Sequence, residues 1–507
     1  VYNLKEFSSK SSATISGFGE LMSHYIIGKL GKARKLDFQI KDSREIITTK
    51  LIKINNSQVD LNLTKNKWES FSKENNKRVI IMPGYIARDN FGNDVTLGRG
   101  GSDYTASIIA SISGASKLDI WTDVSGMFTA NPTIVKQAIS IDSLSYQEAM
   151  ELSHFGAKVI FPPTIQPAMN KNIPITIKNS FKPNDKGTEI SNKNNSRFNV
   201  VKGISHVQGI SLLTLEGSGM IGSPGYSKKL FEILSINNIN IIMITQASSE
   251  HSICIGVNGE ECDRAKKIID EEFNNEIMNN IIKPLKVESD LAIIALVGDK
   301  MKNHQGISGK MFSTLGFNNI NVKAISQGGS ERNITAVINK KDVKKALNTL
   351  HEKFFEKNIK QLNLFVTGVG NVGKKLIEQI FNQSKYLEEN LQIQIKIVGI
   401  SNSKKMLFNN TGIEINNWQN ELKKGVKSNE SEFFKRTKSL NLRNSIFIDN
   451  TASEIIASTY KDYLKNSISV VTCNKIACSD NYLNYKNLKN LAQQYSSSFL
   501  FETNVGA

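Results

Sequence analysis

The spacing of apolar and polar residues repeats itself in the middle of the chain. Residues 212–257 begin as an apolar strand, LLTLEGSGM, pass through a helical run, and end NNINIIMITQASSEHSICIGV. Residues 293–338 follow the same course, from IIALVGDKM to NNINVKAISQGGSERNITAVI. Gly217 and Gly298, Asn237 and Asn318, Gln246 and Gln327, and Glu250 and Glu331 are each 81 residues apart. A constant offset through matching strand, turn and helix punctuation predicts two copies of one supersecondary unit. Ahead of the doublet, strand-like runs such as Arg78–Met82 and Leu118–Trp121 alternate with helical ones, including Tyr104–Ala110, which predicts a layered α/β domain. Ser145-Tyr-Gln-Glu148 is a capping box opening a helix that carries Phe155–Lys158, and capping accounts for Glu148 in full. The polar stretches 182–188 and 191–196 read as loop or linker. Lys340–His351 reads as an amphipathic helix closing the second copy, with its lysines facing solvent. Beyond it, the strand starting at Asn363 runs through a glycine-rich turn into the helix Lys374–Ile380. Apolar runs Ile393–Ile400, Ile446–Asp449 and Ser469–Thr472 then read as further parallel strands.

Composition narrows this picture little. At 507 residues there is room for three or four domains, and 39% hydrophobic residues is a globular composition. No apolar run nears the roughly 18 residues that span a bilayer, so no membrane partner is expected. Cys473 and Cys478 form a C-x4-C pair without a second pair or a nearby His, so no metal site is expected, and the thiols suit a reducing cytoplasm. The net charge of +17 comes from lysines interleaved with Asn and Ile, without a basic stripe, which argues against nucleic acid. The chain starts at Val1 without Met and stops at Ala507 without a polar tail, so it reads as a fragment.

Three stretches carry chemistry. In Thr96–Ala106, LGRGGSDYTA packs three glycines into four residues ahead of a helix, a loop whose amides can face an anion. Arg99 adds a planar fork for a carboxylate, and Ser102 and Asp103 add further polar groups; an ordinary turn before a helix is the alternative. Ser16–Ser23 sets Glu20 beside two glycines. Trp121–Pro132 is a strand end followed by a turn-rich loop. Together these runs, with SYQEAMELSHFGAKV, resemble the aspartate kinases of the amino-acid kinase family over residues 1–190. The resemblance implies transfer of the γ-phosphoryl group of ATP, with Mg2+, to the β-carboxylate of aspartate. It implies that Glu20 holds the substrate's amino group, Arg99 a carboxylate, and Ser102 and Asp103 the same pocket. Thr122, Asp123, Phe128 and Lys158 are implied at the nucleotide, and Arg99 and Asp103 in catalysis. The departures lie on the ATP side. Thr133 stands where the family has Arg, Phe128 where it has Tyr, and Phe161-Pro162-Pro163 where it has His-Pro-Arg. The family's N-terminal Lys-Phe-Gly-Gly-Thr-Ser loop is absent, so this chain is expected to phosphorylate poorly.

The two repeats, 201–280 and 285–357, resemble ACT regulatory domains, βαββαβ units that bind amino acids at paired interfaces. Their QASSE and QGGSE runs are similar to those of threonine-sensitive aspartate kinases, which implies Gln246 and Gln327 as effector contacts and threonine as effector. Strand capping is the alternative for both glutamines. ACT pairs also imply a homo-oligomer, a dimer or tetramer.

In 361–507, Gly368-Val369-Gly370-Asn371-Val372-Gly373 follows a strand and opens a helix, the context in which G-x-G-x-x-G signals a dinucleotide. The next strand ends in Ser401-Asn-Ser-Lys404-Lys405 rather than an acidic residue, which suits the 2′-phosphate of NADP over NAD; two surface lysines are the alternative. Loops at Thr451 and Ser453 and at Lys475 sit where such sheets bind ligands. This module resembles the cofactor domain of homoserine dehydrogenases. That implies a Rossmann domain, the interconversion of aspartate semialdehyde and homoserine with NAD(P)H, and Lys475 at nicotinamide and substrate. The family's substrate domain is missing, so dinucleotide binding without hydride transfer is expected. The whole chain reads as a multi-domain α/β protein of aspartate-family amino-acid synthesis. An amino-acid-sensing protein with a decayed kinase half is the competing reading.

Overall fold

The computed structural model describes residues 8–50, 58–75, 77–157, 159–192, 200–246, 251–356 and 360–501. Lys158 and Glu250 lie outside them. Three α/β modules follow one another along the chain.

In the first module, helices Gly101–Ser113, Tyr146–His154 and Pro162–Asn170 pack beside a sheet. Its strands Leu118–Thr122 and Ile175–Asn179 run parallel, and Thr188–Ile190 returns antiparallel to the latter. The stretch 182–188, expected as loop or linker, is the loop of the hairpin joining those last two strands, up to Thr188, which begins the second of them. Gly187 has φ 71°, and a Cβ there would lie 1.9 Å from the Ile177 carbonyl oxygen, so only glycine closes this turn. The capping box at Ser145 and Glu148 forms as the spacing predicts. Its helix, however, stops at His154, short of the Phe155–Lys158 run assigned to it, because Gly156 turns out at φ 106° against the His206 carbonyl.

The doublet folds as a single six-stranded antiparallel sheet. The strands Gly203–Glu216 and Lys286–Val297 form its central seam, and each serves both copies. Residues 210–216 pair with Ser252–Asn258 of the first copy, while 203–208 pair with the opening strand of the second. The copies therefore exchange edge strands rather than standing one after the other. Residues 291–297, LAIIALV, are buried on both faces. Alternate side chains face the second copy's helices Ile307–Phe317 and Val343–Phe355 and, opposite, the helices of the first module. That two-sided burial is why the run is continuously apolar rather than alternating. The repeat also holds at the backbone: Gly225 and Gly306 open equivalent helices with φ 109° and 83°, and Asn238 and Asn319 end them with φ 55° each.

The third module is a seven-stranded sheet with the parallel order Ile393–Ser401, Lys360–Thr367, Ser445–Asp449, Ser469–Thr472, Phe499–Phe501. The chain leaves the strand Lys360–Thr367 to one side and returns on the other, so a switch point lies at that strand's carboxyl end.

A buried polar chain joins all three modules. Thr129 Oγ1 of the first lies 2.9 Å from His351 Nε2 of the doublet, and His351 Nδ1 lies 3.1 Å from Glu356 Oε1. Arg443 of the third module reaches Glu356 at 3.3 Å and Glu352 at 3.2 Å, and donates to the Asn348 carbonyl at 2.7 Å. This docking also overturns one expectation. Lys345, assigned to a solvated face, is only 8% exposed because the third module covers it.

Candidate functional site

The glycine loop forms one wall of a pocket of about 360 Å³. Gly98 and Gly100 are left-handed, with φ 73° and 68°, and Gly100 caps the helix Gly101–Ser113. Part of the glycine requirement is packing: a Cβ on Gly100 would sit 2.6 Å from that of Phe161, and one on Gly101 2.8 Å from the Tyr85 ring. The opposite wall is the helix Ser9–Ala33, which supplies Ser16, Gly19 and Glu20. Ser102 Oγ donates to Glu20 Oε1 at 3.4 Å. Glu20, Arg99, Ser102 and Asp103 are thus brought into one pocket from two distant stretches. Burial pushes the Asp103 carboxyl up. Sequence reasoning missed Tyr85, a left-handed non-glycine residue (φ 69°) lining the same pocket, whose amide donates to Thr105 Oγ1. Such a conformation costs about 1–3 kcal/mol, and the Pro83-Gly84 turn before it was the available signal.

On the side assigned to ATP, Thr122 ends its strand and donates to Asp123 at 3.1 Å. Phe128 lies further on, bridged to Ser140. Ser125 was not foreseen; it accepts from Asn179 and donates to Asp185 at 2.5 Å. The departures from the family pattern have local structural work. Both the amide and the hydroxyl of Thr133 donate to Asn131 Oδ1, at 3.0 and 2.8 Å. Pro162 and Pro163 occupy the first turn of a helix, where a missing N–H costs nothing.

In the third module, Gly368 has φ 85°, and a Cβ on Gly373 would lie 2.0 Å from the Gly368 carbonyl oxygen. At Gly370, the cap of helix Asn371–Asn390, a Cβ would meet no protein atom within 4 Å. The loop is therefore closed on itself at Gly368 and Gly373 and open at Gly370, a cradle at a helix N-terminus. Val369 completes the turn, Asn371 and Val372 open the helix, and Asn450 Nδ2 beside the loop is buried without a hydrogen-bond partner among the described residues. An orphaned donor and an open cradle fit a dinucleotide's phosphates. Next to it a crevice of about 290 Å³ is lined by Gly368, Ser401, Thr451 and Ser453. Of the two lysines, Lys405 donates to the Gly425 carbonyl at 2.9 Å, while Lys404 is exposed. Lys475 is exposed at the end of strand Ser469–Thr472. The loops are held by Asp449, a fully buried carboxylate that sequence reasoning missed. It accepts from Tyr460 at 2.5 Å, from Asn474 at 3.0 Å and from the Thr451 amide at 2.8 Å. Burial, with Asp449 alongside, pushes the Tyr460 phenol far up, so it stays a donor.

Gln246 ends the strand Ile241–Gln246, and Gln327 follows the equivalent strand Val322–Ser326. These edge strands curl together, Thr245 Oγ1 donating to the Ile325 carbonyl at 3.1 Å, so both glutamines are exposed along one seam. Ser308 donates to Gln327 Oε1 at 3.3 Å.

Comparison with known proteins agrees with these three modules. The amino acid kinase family matches residues 4–179, the ACT domain matches 213–273 and 294–354, and the homoserine dehydrogenase NAD binding domain matches 368–502. Lysine-sensitive aspartokinase 3 of Escherichia coli is 30% identical over 339 residues, 67% of this chain and 74% of that protein. The bifunctional aspartokinase/homoserine dehydrogenase of Haemophilus influenzae is 39% identical over 431 residues, 85% of this chain. The chain belongs to the aspartokinase/homoserine dehydrogenase family. It spans about half the length of such relatives, 53% of the Haemophilus protein. Among solved aspartokinase structures, that of E. coli aspartokinase III in complex with aspartate and ADP superposes with a TM-score of 0.60 at 29% identity, over 69% of this chain and 77% of that one. No helix among the described residues is long and apolar enough to cross a membrane.

Proposed function

We propose that the protein to which this chain belongs phosphorylates the β-carboxylate of aspartate with MgATP and interconverts aspartate semialdehyde and homoserine with NAD(P)H. The observation that carries the reading is one chain holding both the Glu20–Arg99–Ser102–Asp103 pocket and the open cradle at Gly370. In the first, Arg99 meets a substrate carboxylate and Glu20 the amino group. Ser102 and Asp103 fix the substrate's orientation, which is most of what phosphoryl transfer asks of a protein. Thr122, Asp123, Phe128 and Lys158 are assigned to the nucleotide. Mg2+ travels with the ATP phosphates, as such ions commonly do. In the third module, the Gly368–Gly373 loop and Asn450 hold the pyrophosphate, Thr451 and Ser453 line the crevice, and Lys475 meets the substrate. The bound dinucleotide supplies the hydride. Lys404 favours NADP through its 2′-phosphate.

The doublet is assigned to feedback by an amino acid, threonine in this reading, through Gln246 and Gln327. The E. coli relatives are named for lysine, so lysine is the control ligand. The working assembly is assigned as a homo-oligomer. Calorimetric titration with aspartate, NADPH, NADH, threonine and lysine tests each site separately. Aspartate heat lost in Arg99→Ala and NADPH bound about tenfold more weakly in Gly370→Ala are the expected results. A folded sample that binds neither aspartate nor NADPH overturns the reading. Thr133, whose polar groups are spent on Asn131, favours a second reading in which the kinase half has decayed into a sensor. Aspartate bound without any nucleotide affinity, restored in Thr133→Arg, would select it.

A further inference from the structure

Where the doublet meets the third module there is a cavity of about 520 Å³ that none of the sites above uses. It opens at the amino-terminal ends of the strands Ser445–Asp449 and Ser469–Thr472, the opposite end of the sheet from the dinucleotide crevice. On the doublet it lies at the start of helix Val343–Phe355, and Asn321, which lines it, precedes the strand whose far end leads to Gln327. Four ammonium side chains line it: Lys341 and Lys345 from the doublet, Lys435 and Lys438 from the third module. None forms an ion pair among the described residues, although lysine–carboxylate pairs occur elsewhere on the molecule. The one carboxylate in the lining, Asp342, is 9% exposed and is taken up by Asn441 Nδ2 at 3.0 Å.

Lys345 is the informative member. It is 8% exposed, and burial pulls its ammonium down to about 8, only partly opposed by the Asp342 carboxylate. A charge so stripped of water is costly unless an anion stands against it. The lining hydroxyls of Thr437, Ser439 and Ser445 already donate to backbone carbonyls. What remains to meet a ligand is the ammonium set and the amides of residues such as Asn321 and Asn339. Strong cationic donors around a space of several hundred cubic ångströms suit a ligand with a multiply charged oxyanion head. We propose that this cavity binds a small phosphate-bearing anion that bridges the doublet and the dinucleotide module.

The test is thermal unfolding and calorimetric titration of the polypeptide with inorganic phosphate, glucose 6-phosphate and citrate, in wild type, Lys345→Met and Lys438→Ala. Both phosphate probes should raise the melting temperature of wild type in a saturable way. Equal affinity for the two identifies free phosphate as the ligand, and tighter binding of the ester identifies a phosphomonoester. Lys345→Met should melt no lower than wild type in phosphate-free buffer, since it replaces a buried charge that makes no direct ion pair among the described residues with an apolar chain of similar shape, and should bind about tenfold more weakly. Lys438→Ala, on a surface-accessible rim, should weaken binding without loss of fold. Undiminished phosphate stabilisation in both variants overturns the proposal, as does citrate binding more tightly than either phosphate probe.

Discussion

Replacing Arg443 by Met should unlatch the dinucleotide module from the doublet. The guanidinium is 4% exposed and faces Glu352 and Glu356, whose side chains are 16% and 14% exposed. Without it two half-sealed carboxylates confront each other with no counter-charge. Breaking a buried pair from one side costs about 3–5 kcal/mol, and the partial exposure of both acids places the expected loss at about 3 kcal/mol. Arg443→Lys, which keeps the charge and loses the fork, should cost about 1 kcal/mol. The pH dependence has a definite sign. In the native protein burial raises Glu352, whereas for Glu356 burial is outweighed by the His351 hydrogen bond and the Arg443 charge, so that carboxyl is held low. Glu356 therefore contributes stability that is present above its unfolded pKa and lost as pH falls through its folded value, and Glu352 works in the opposite sense. In Arg443→Met both acids should be raised. The folded state then binds more protons than the unfolded one, and the deficit should be largest at about pH 8 and shrink towards about pH 5. Scanning calorimetry across that range, with hydrogen exchange over 343–356, reads both effects. A loss below about 1 kcal/mol, or one flat in pH, would refute the reasoning.

Other outcomes follow from the same geometry. Gly370→Ala should leave stability within about 0.5 kcal/mol of wild type and weaken NADPH about tenfold in titration, since its Cβ meets only the open space assigned above to phosphate. Gly373→Ala should instead lower the melting temperature as well, because its Cβ collides with the Gly368 carbonyl. Lys404→Ala should lower NADPH affinity and spare NADH, whereas Lys405→Ala should leave the ratio of the two unchanged. Tyr460→Phe removes a donor from the buried Asp449 and should cost about 1.5–3 kcal/mol by chemical denaturation. Glu148→Ala should cost about 2–3 kcal/mol in the same assay, a lost helix cap plus an unpartnered Asp299 amide.

What the sequence discloses and what it hides divide along physical lines. The doublet is legible because repeated glycines and asparagines mark backbone positions that must recur: Gly225 and Gly306 both need left-handed caps. The LAIIALV seam is legible as buried because no polar residue interrupts it. The exchange of edge strands is not, since register lies in no local pattern. Nor are the long-range contacts. Arg443 reads as one more basic residue in a lysine-rich chain until Glu352 and Glu356, some ninety positions earlier, are seen against it. Glu148 reads correctly as a cap, but its second oxygen accepts from the Asp299 amide 151 residues away at 2.9 Å. Lys404 and Lys405 are indistinguishable as letters. Strand pairing to Lys427 turns Lys405 towards Gly425 and leaves its neighbour exposed.

The same long-range contacts make the two copies of the doublet unequal. The first copy's helices pack among themselves and its own strands, in a core running from Leu213 to Leu285. The second copy's helices share a core with Ala130 and Val135, on the segment of the kinase-like module just after Phe128. The amide of Ile204, on the exchanged strand, donates to the Thr129 carbonyl of that segment at 2.8 Å. The helix Ile307–Phe317 joins these facts, since Ser308 at its start holds Gln327 and Met311, one turn on, lies in the shared core. An amino acid that drew Gln327 away from Ser308 would act at the head of the element on which the kinase segment rests. The other helix of that copy, Val343–Phe355, carries His351 towards Thr129 and offers Glu352 to Arg443. A displacement there is felt in two modules at once, because packed cores shift between discrete arrangements rather than yielding gradually. If Gln246 and Gln327 are the two effector seats proposed above, the asymmetric docking gives the second one mechanical reach into both flanking modules.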